Sequence, residues 1–520
     1  MTFAGRLGFR ISHSAFLLVF PTLLYATCNA LNLDKLARWF PGKDGVDVAA
    51  FSAYLLAGLG LFIAFFALLA HRWTIKPIAI LLVAFSAAAT YFISKYDVAI
   101  DTSMMRNVVH TDSTEVGQLL SVQMLPYAVF LVLLPVLAIL AADIRFRPSW
   151  RYLIPSSVVF LAAFGMALAF LYLNYNPILR AGNVSKKYII YSLVPINFLS
   201  GGINAAVKSI EPYFASDPSK VDIRGSVEST EDLVVVLAIG ESSRRRNFSI
   251  YGYERRNTNP VLQGIGGLHL LNGVASRGST LDALPEILEQ SGIKLPLIVS
   301  KLGIPTWCYV NYTLYDNCAA VGETKASHCR HDGRCYDEDV IPLLEANLSS
   351  YSSGKRFIIL HLGGGSHGPV YSDRYPPEFQ RFKPMCDDAD VANQCTLEQL
   401  YNSYDNTILY VDHVLGEILH TLERSGAPFV FMYLSDHGES LMDEGRMFHG
   451  MPPGISLPAE QAQVPLIVKS SVPISIVERA EYGQQDVFDT VLDLLSIQSP
   501  LFDKRGSFIK TRTASVAAAD

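Results

Sequence analysis

Charge is scarce in the first third of this 520-residue chain, and only 17% of all residues are charged. Long blocks before about residue 180 carry almost none, which excludes a protein that is water-soluble along its whole length. Internal repeats are absent, and the small-residue tail "TASVAAAD" is the one low-complexity segment, so neither a solenoid nor a disordered linker protein fits. No C-x-x-C occurs among the seven cysteines, which argues against the commonest structural zinc modules. The net charge of -6, with no basic run beyond Arg244 to Arg246, gives no reason to expect a nucleic-acid partner.

What is present divides the chain in two. Five stretches are long and apolar enough for helices across about 30 Å of hydrocarbon: Ser14 to Leu33, Phe51 to Ala70, Pro77 to Ser94, Val122 to Ala142 and Leu153 to Leu173. The first follows Arg6 and Arg10 but is too long for a signal peptide, so it is expected to be retained. The short connections "HRWTIK" and "ADIRFRPSWR" hold Arg72, Lys76, Arg145, Arg147 and Arg151, which places them in the cytoplasm by the positive-inside rule. An odd number of spans then puts everything after Leu173 on the outer side. The expected organisation is a transmembrane part over 1–175, a connector over 176–230, a catalytic part over 231–513 and a tail over 514–520.

Cysteine usage agrees with that placement. Cys28 lies in the first apolar stretch, and the other six fall in the polar half as near neighbours: Cys308 with Cys318, Cys329 with Cys335, Cys386 with Cys395. An even, locally paired set suggests three disulfides closing small loops in an oxidising compartment, with a zinc site as the less favoured alternative.

The polar half alternates apolar, β-rich runs (Leu233 to Ile239, Phe357 to Leu362, Phe429 to Leu434, Val464 to Val468) with helical patterns such as "LEQLYNSYDNTILYVDHVLGEILHTLE". Such alternation predicts an α/β domain with a mostly parallel sheet covered on both faces. In such sheets ligands bind beyond the carboxyl ends of the strands. Glu241 follows the first run, "GGGSHGP" with His367 follows the second, and "SDHGES" with Asp436, His437 and Glu439 follows the third. A single Asp-His pair after a strand is more often a hydrogen-bonded loop than a ligand set. Convergence of several at one sheet edge points instead to a site for zinc, or less favourably manganese.

These same residues carry a resemblance. "GESSRRRNFSIYGYERRNTNP", "GSTLDALP", "CYDE", "GGGSHGPVYSDRYPPEF", "YDNTILYVDHVL" and "LSDHGES" followed by "FHG" are similar, in order, to the motifs of the phosphoethanolamine transferases, a branch of the sulfatase-like, alkaline-phosphatase superfamily. That family includes lipid A-modifying enzymes linked to polymyxin resistance. The resemblance implies a five-span membrane part and a sulfatase-like catalytic domain in the bacterial periplasm, anchored as a multi-pass inner-membrane protein and read as a monomer. It implies that Glu241, Thr280, Asp436 and His437 hold zinc, that Thr280 is the nucleophile, and that His367 and His449 bind the transferred phosphate or a second zinc and help protonate the leaving group. A threonine hydroxyl is a weak nucleophile until a metal acidifies it.

In "NVVHTDSTE", Asn107, Thr111 and Glu115 are four residues apart and resemble the family's N-x-x-x-T-x-x-x-E segment, which implies a seat for the donor's ethanolamine head group. The bland alternative is the solvated face of an interfacial helix. The reaction implied moves phosphoethanolamine from phosphatidylethanolamine to a lipopolysaccharide acceptor, either a lipid A phosphate or a core sugar. Because a two-tailed donor stays in the bilayer, the catalyst is tethered there. Lipid A-modifying relatives carry cysteines on either side of the nucleophile where this chain has Ser276 and Glu286, and the sulfatase signature C-x-P-x-R is missing. A phosphoglycerol transferase of the lipoteichoic acid synthase kind and a non-catalytic membrane-tethered scaffold are the competing expectations.

Overall fold

The computed structural model describes residues 9–511 apart from 39, 43–44, 97, 111–120, 148, 177–190, 215–222, 312, 327–328, 330–334, 364, 367, 369, 389–390 and 452–455. The chain divides into two compact units, one formed by residues 1–211 and 452–455 and the other by 212–451 and 456–520.

The first unit is helical. Its principal helices are α1 (His13–Ala30), α2 (Val48–Leu69), α3 (Ile75–Tyr96), α4 (Thr102–His110), α5 (Met124–Ala141, with a π-helical stretch at Ala128–Leu133), α6 (Leu153–Leu173) and α7 (Ile196–Phe214). Side-chain oxygens start two of them: Ser12 accepts from the backbone of Ala15, and Asp47 from that of Ala50. Four of the five expected spans coincide with helices long and apolar enough to cross a membrane, α2, α3, α5 and the stretch Trp150–Leu173 that contains α6. The first expected span forms α1, but its 18 residues include His13, Pro21 and Asn29, so it is not among the four. Asn29 is occupied in packing: its side chain donates to the carbonyls of Tyr25 and Val194 and accepts from the backbone of Val194. Leu193, Val194 and Phe198, from the stretch expected to be connector, are buried in this unit's core. Small residues let α2 and α6 approach closely. A Cβ on Gly60 would lie 2.7 Å from the carbonyl oxygen of Ala163 and 3.1 Å from Cβ of Ala167.

The second unit is built on an eight-stranded sheet: β1 (Leu233–Gly240), β2 (His269–Val274), β3 (Thr306–Val310), β4 (Glu323–Lys325), β5 (Lys355–Leu362), β6 (Phe429–Ser435), β7 (Gln463–Ser470) and β8 (Tyr482–Gly483), in the order β4-β3-β5-β1-β6-β7-β2-β8. From β4 to β6 every pairing is parallel, β7 is antiparallel to both neighbours, and β8 is parallel to β2. A mostly parallel sheet is therefore observed, with β7, one of the four expected strands, reversed. All eight residues of β1 are buried, as expected for a central strand covered on both faces. Helices α8 (Thr280–Leu288), α9 (Leu295–Lys301) and α12 (Asp486–Leu494) pack Leu284, Ile298 and Val491 into the core on one face. α10 (Ile341–Ser349) and the 29-residue α11 (Leu397–Ser425) pack together. α11 starts with a capping box between Thr396 and Gln399 and ends at Gly426, whose φ of 68° suits a residue without a Cβ. Three disulfides close the expected loops, Cys308–Cys318, Cys329–Cys335 and Cys386–Cys395, while Cys28 is free and buried.

The α2–α6 contact predicts that Gly60→Val destabilises the membrane unit by about 1–3 kcal/mol, read as a lower thermal midpoint in detergent. Gly165→Val, where a Cβ meets nothing within 4 Å, is expected to leave that midpoint unchanged.

Candidate active site

Two adjacent parallel strands and a helix deliver the site. β1 ends at Gly240, where a Cβ would lie 2.4 Å from the Tyr433 hydroxyl, so only glycine lets β1 and β6 end side by side. The chain then turns at Ser242, whose φ is 55°, a conformation that costs energy in a residue with a side chain. This turn presents Glu241, almost fully buried. β6 ends at Ser435, followed by Asp436 and His437, both fully buried.

The nucleophile candidate enters from the helix layer. Thr280 is the first residue of α8, whose opening turn is held by the Ser279 carbonyl accepting from Asp282 and Ala283. Its Oγ1 donates to Glu241 Oε2 at 2.7 Å and lies 3.4 Å from His437 Nε2. Glu241 Oε1 accepts from the Ser242 hydroxyl at 2.7 Å. His437 Nδ1 is 2.9 Å from the Gly438 carbonyl, which fixes it as the protonated nitrogen and turns Nε2 inward, 3.5 Å from Glu241 Oε1 and 3.3 Å from Asp436 Oδ2. Asp436 Oδ1 accepts from the backbone of Ser242 and of His437, whereas Oδ2 is buried and makes no hydrogen bond.

Glu241, Thr280, Asp436 and His437 are thus brought to one point from two strands and a helix. His449 joins them: its ring centroid is 4.3 Å from that of His437, and ligand atoms of Glu241, His437 and His449 all lie within 4.8 Å of one another. His367, Thr111 and Glu115 lie outside the described residues, and Asn107 sits on α4, half-buried.

Electrostatics decide what belongs there. Burial, then the neighbouring Glu241 carboxylate, pushes the Asp436 carboxyl up to about 7. Burial works against a charged His437, yet Asp436 and Glu241 outweigh it and raise the imidazole above its usual value. His361, buried on the adjacent strand β5 with neither ring nitrogen hydrogen-bonded, is held down to about 4 by burial and adds no positive charge. The buried carboxylates of Glu241 and Asp436, the latter with its Oδ2 free of hydrogen bonds, and an inward imidazole nitrogen make a set of oxygen and imidazole donors that suits a divalent metal. The residues present fit the expected metal.

The surroundings hold features that the sequence left open. Arg244 faces neither lipid nor solvent: its guanidinium is buried, 2.7 Å from Asp443 Oδ2 and over the rings of Tyr401 and Tyr404 at 5.2 and 5.4 Å. Arg246 is the exposed member of the triplet. Glu286 pairs with Arg277 Nε at 2.9 Å, so an ion pair spans the nucleophile from residue 277 to 286. Glu439, which the sequence set with Asp436 and His437 after the third run, is fully buried behind His449, and Tyr371, fully buried against Glu439, had no sequence signal beyond its nearness to "SHGP".

A mostly parallel sheet with a helix-borne hydroxyl at its carboxyl edge, beside a carboxylate–imidazole cluster, defines a sulfatase-like group-transfer enzyme. Residues 267–497 match the sulfatase family model, and residues 59–210 match the model described as phosphoethanolamine transferase EptA/EptB. Phosphoethanolamine transferase EptA of Helicobacter pylori is 31% identical over 465 residues, 82% of this chain and 83% of its own. Phosphatidylethanolamine transferase Mcr-1 of Escherichia coli is 28% identical, with 98% of each chain covered. The structure of the integral membrane protein lipooligosaccharide phosphoethanolamine transferase A from Neisseria meningitidis superposes with a TM-score of 0.80 at 25% identity, covering 96% of this chain and all of that one. The chain belongs to the phosphoethanolamine transferase family and is a transferase.

Two measurements probe the site. In metal-free protein, Asp436 holds its proton to about pH 7 when folded, against an ordinary value of 3.8 when unfolded. The folded state therefore binds the extra proton, and stability present below the unfolded value is lost as pH rises through the folded one. Chelator-treated wild type is expected to lose thermal stability from pH 5 to 7 more steeply than Asp436→Asn. Equal slopes would contradict the assignment. For the ion pair, Arg277→Glu should cut the transfer rate by about 2- to 5-fold, as suits a half-exposed pair, and the swap Arg277→Glu with Glu286→Arg should restore it.

Proposed function

We propose that this protein transfers phosphoethanolamine from phosphatidylethanolamine to a lipopolysaccharide-type acceptor through a phosphoethanolamine-threonine intermediate on Thr280. The observation that carries the reading is the 2.7 Å hydrogen bond from Thr280 Oγ1 to Glu241 Oε2, at a point where Asp436 and His437 also converge. Glu241, Thr280, Asp436 and His437 would hold zinc, which when bound acidifies the hydroxyl and offsets charge on the phosphoryl oxygens.

The chain's own residues account for the rest of the step. Thr280 Oγ1 forms the bond to phosphorus, and its proton moves toward Glu241 Oε2. The phosphorus bond to the glyceride oxygen breaks, and that oxygen takes a proton from His449, leaving as diacylglycerol. His367 shares the contact to the transferred phosphate. An acceptor hydroxyl or phosphate oxygen then attacks phosphorus opposite the Thr280 bond, any proton it carries passing to His449, while the bond from phosphorus to Thr280 Oγ1 breaks and Thr280 recovers its proton from Glu241. Asn107, Thr111 and Glu115 receive the donor head group, the carboxylate pairing with the ammonium.

The acceptor class is supported by the relative from Neisseria meningitidis, whose name specifies lipooligosaccharide. Five spans over 1–175 and a catalytic part over 231–513 in the periplasm, joined by the 176–230 connector, complete the reading as an inner-membrane enzyme acting as a monomer. Phosphoglycerol transfer and a non-catalytic scaffold are disfavoured, because the named relatives are phosphoethanolamine transferases and the cation-binding positions are all filled.

Mass spectrometry of purified protein incubated with phosphatidylethanolamine is expected to find a phosphoethanolamine adduct on Thr280. Thr280→Ala is expected to lower diacylglycerol release by about 10³-fold or more while leaving the fold intact. Full activity in that variant overturns the assignment.

A further inference from the structure

His449 is gripped from behind by a second buried carboxylate. Its Nδ1 lies 2.7 Å from Oε2 of Glu439, and the Tyr371 hydroxyl donates to Oε1 of the same carboxylate at 3.1 Å. The backbone is fixed as well: Arg244 Nη1 donates to the Glu439 carbonyl at 3.3 Å while pairing with Asp443 at 2.7 Å. Asp443 belongs to the hairpin of Ser440–Asp443 and Arg446–Phe448, and His449 follows directly on its second strand. Phe448 completes the delivery in the left-handed region, at φ 66°, which a bulky residue adopts only where its surroundings leave no alternative.

An apolar side chain would fill the same volume at less cost. Glu439 instead adds a third buried carboxyl group within three residues of Asp436, where Glu241 already crowds the edge. A neutral imidazole can carry its proton on either nitrogen, and which one is set by the partner of the other. A carboxylate facing Nδ1 keeps one proton there and steadies the imidazolium, whose second proton, on Nε2, is the one the leaving glyceride oxygen takes.

We propose that Glu439 is a positioning residue for the transfer: by accepting the Nδ1 proton of His449, and being itself held by Tyr371, it fixes the imidazole so that Nε2 faces the phosphoryl group on Thr280. This inference rests on the role assigned above to His449.

The test uses full-length protein in detergent micelles containing phosphatidylethanolamine, with single-turnover release of diacylglycerol as readout. Glu439→Gln is expected to slow release by roughly 10- to 100-fold, with KM and bound metal unchanged. Tyr371→Phe should slow it less. Added to His449→Ala, Glu439→Gln should cost under about 2-fold more, because a residue acting only through His449 has nothing left to position. An additive loss in that background, a change in KM alone, or wild-type rates in Glu439→Gln would overturn the proposal while leaving the role of His449 intact. Wild-type rates in His449→Ala would instead remove that role, and this inference with it. Should Glu439→Gln fail to fold, Tyr371→Phe in the wild-type and His449→Ala backgrounds decides by the same criteria.

Discussion

Two carboxylates that cannot both stay charged in isolation govern this structure. Glu241 and Asp436 end adjacent parallel strands, are both buried, and meet at one imidazole nitrogen. Burial first, and then the neighbouring Glu241 carboxylate, raises the cost of ionisation, which is why the Asp436 carboxyl is pushed up to about 7. A divalent cation held by these residues would resolve the conflict. The turn at Ser242 supplies a hydroxyl and a backbone N–H to the two carboxylates, and α8 brings a hydroxyl to the same place.

The network behind the site serves rigidity. Arg244, close in sequence to Glu241, ties the first strand's exit loop to the hairpin that delivers His449. Tyr404 reinforces this by accepting from the Arg244 backbone, donating to the Ser242 carbonyl and lying under the guanidinium. Its helix, α11, spans 29 residues, so a single rigid rod buttresses the loop. Positions of reactive atoms are thereby set by strands and a long helix rather than by loops alone. The Arg277–Glu286 ion pair spans the nucleophile along the chain.

Much of this was legible in the residues. β1, β5, β6 and β7 stood out as apolar runs because strands buried on both faces exclude polar side chains. The disulfides followed from proximity, since loops of six to ten residues bring cysteines together by geometry alone. The polar residues at carboxyl ends were visible for the same reason that strands were: each abruptly ends an apolar run. The count of spans was less secure. His13, Pro21 and Asn29 dilute α1, and Asn29 turns out to bond the backbone of Val194, 165 residues away, a contact no local pattern encodes.

The sequence by itself determined which segments avoid water and which polar groups stand at their ends, because burial is read from local composition. Only the tertiary structure decided that β7 runs backwards between β6 and β2, that Arg244 is an internal strut rather than a surface charge, and that Glu439 stands behind His449. Strand direction and side-chain pairing depend on contacts between residues tens to hundreds of positions apart. Such contacts are fixed by the closing of the whole core and leave no trace in any short window of sequence.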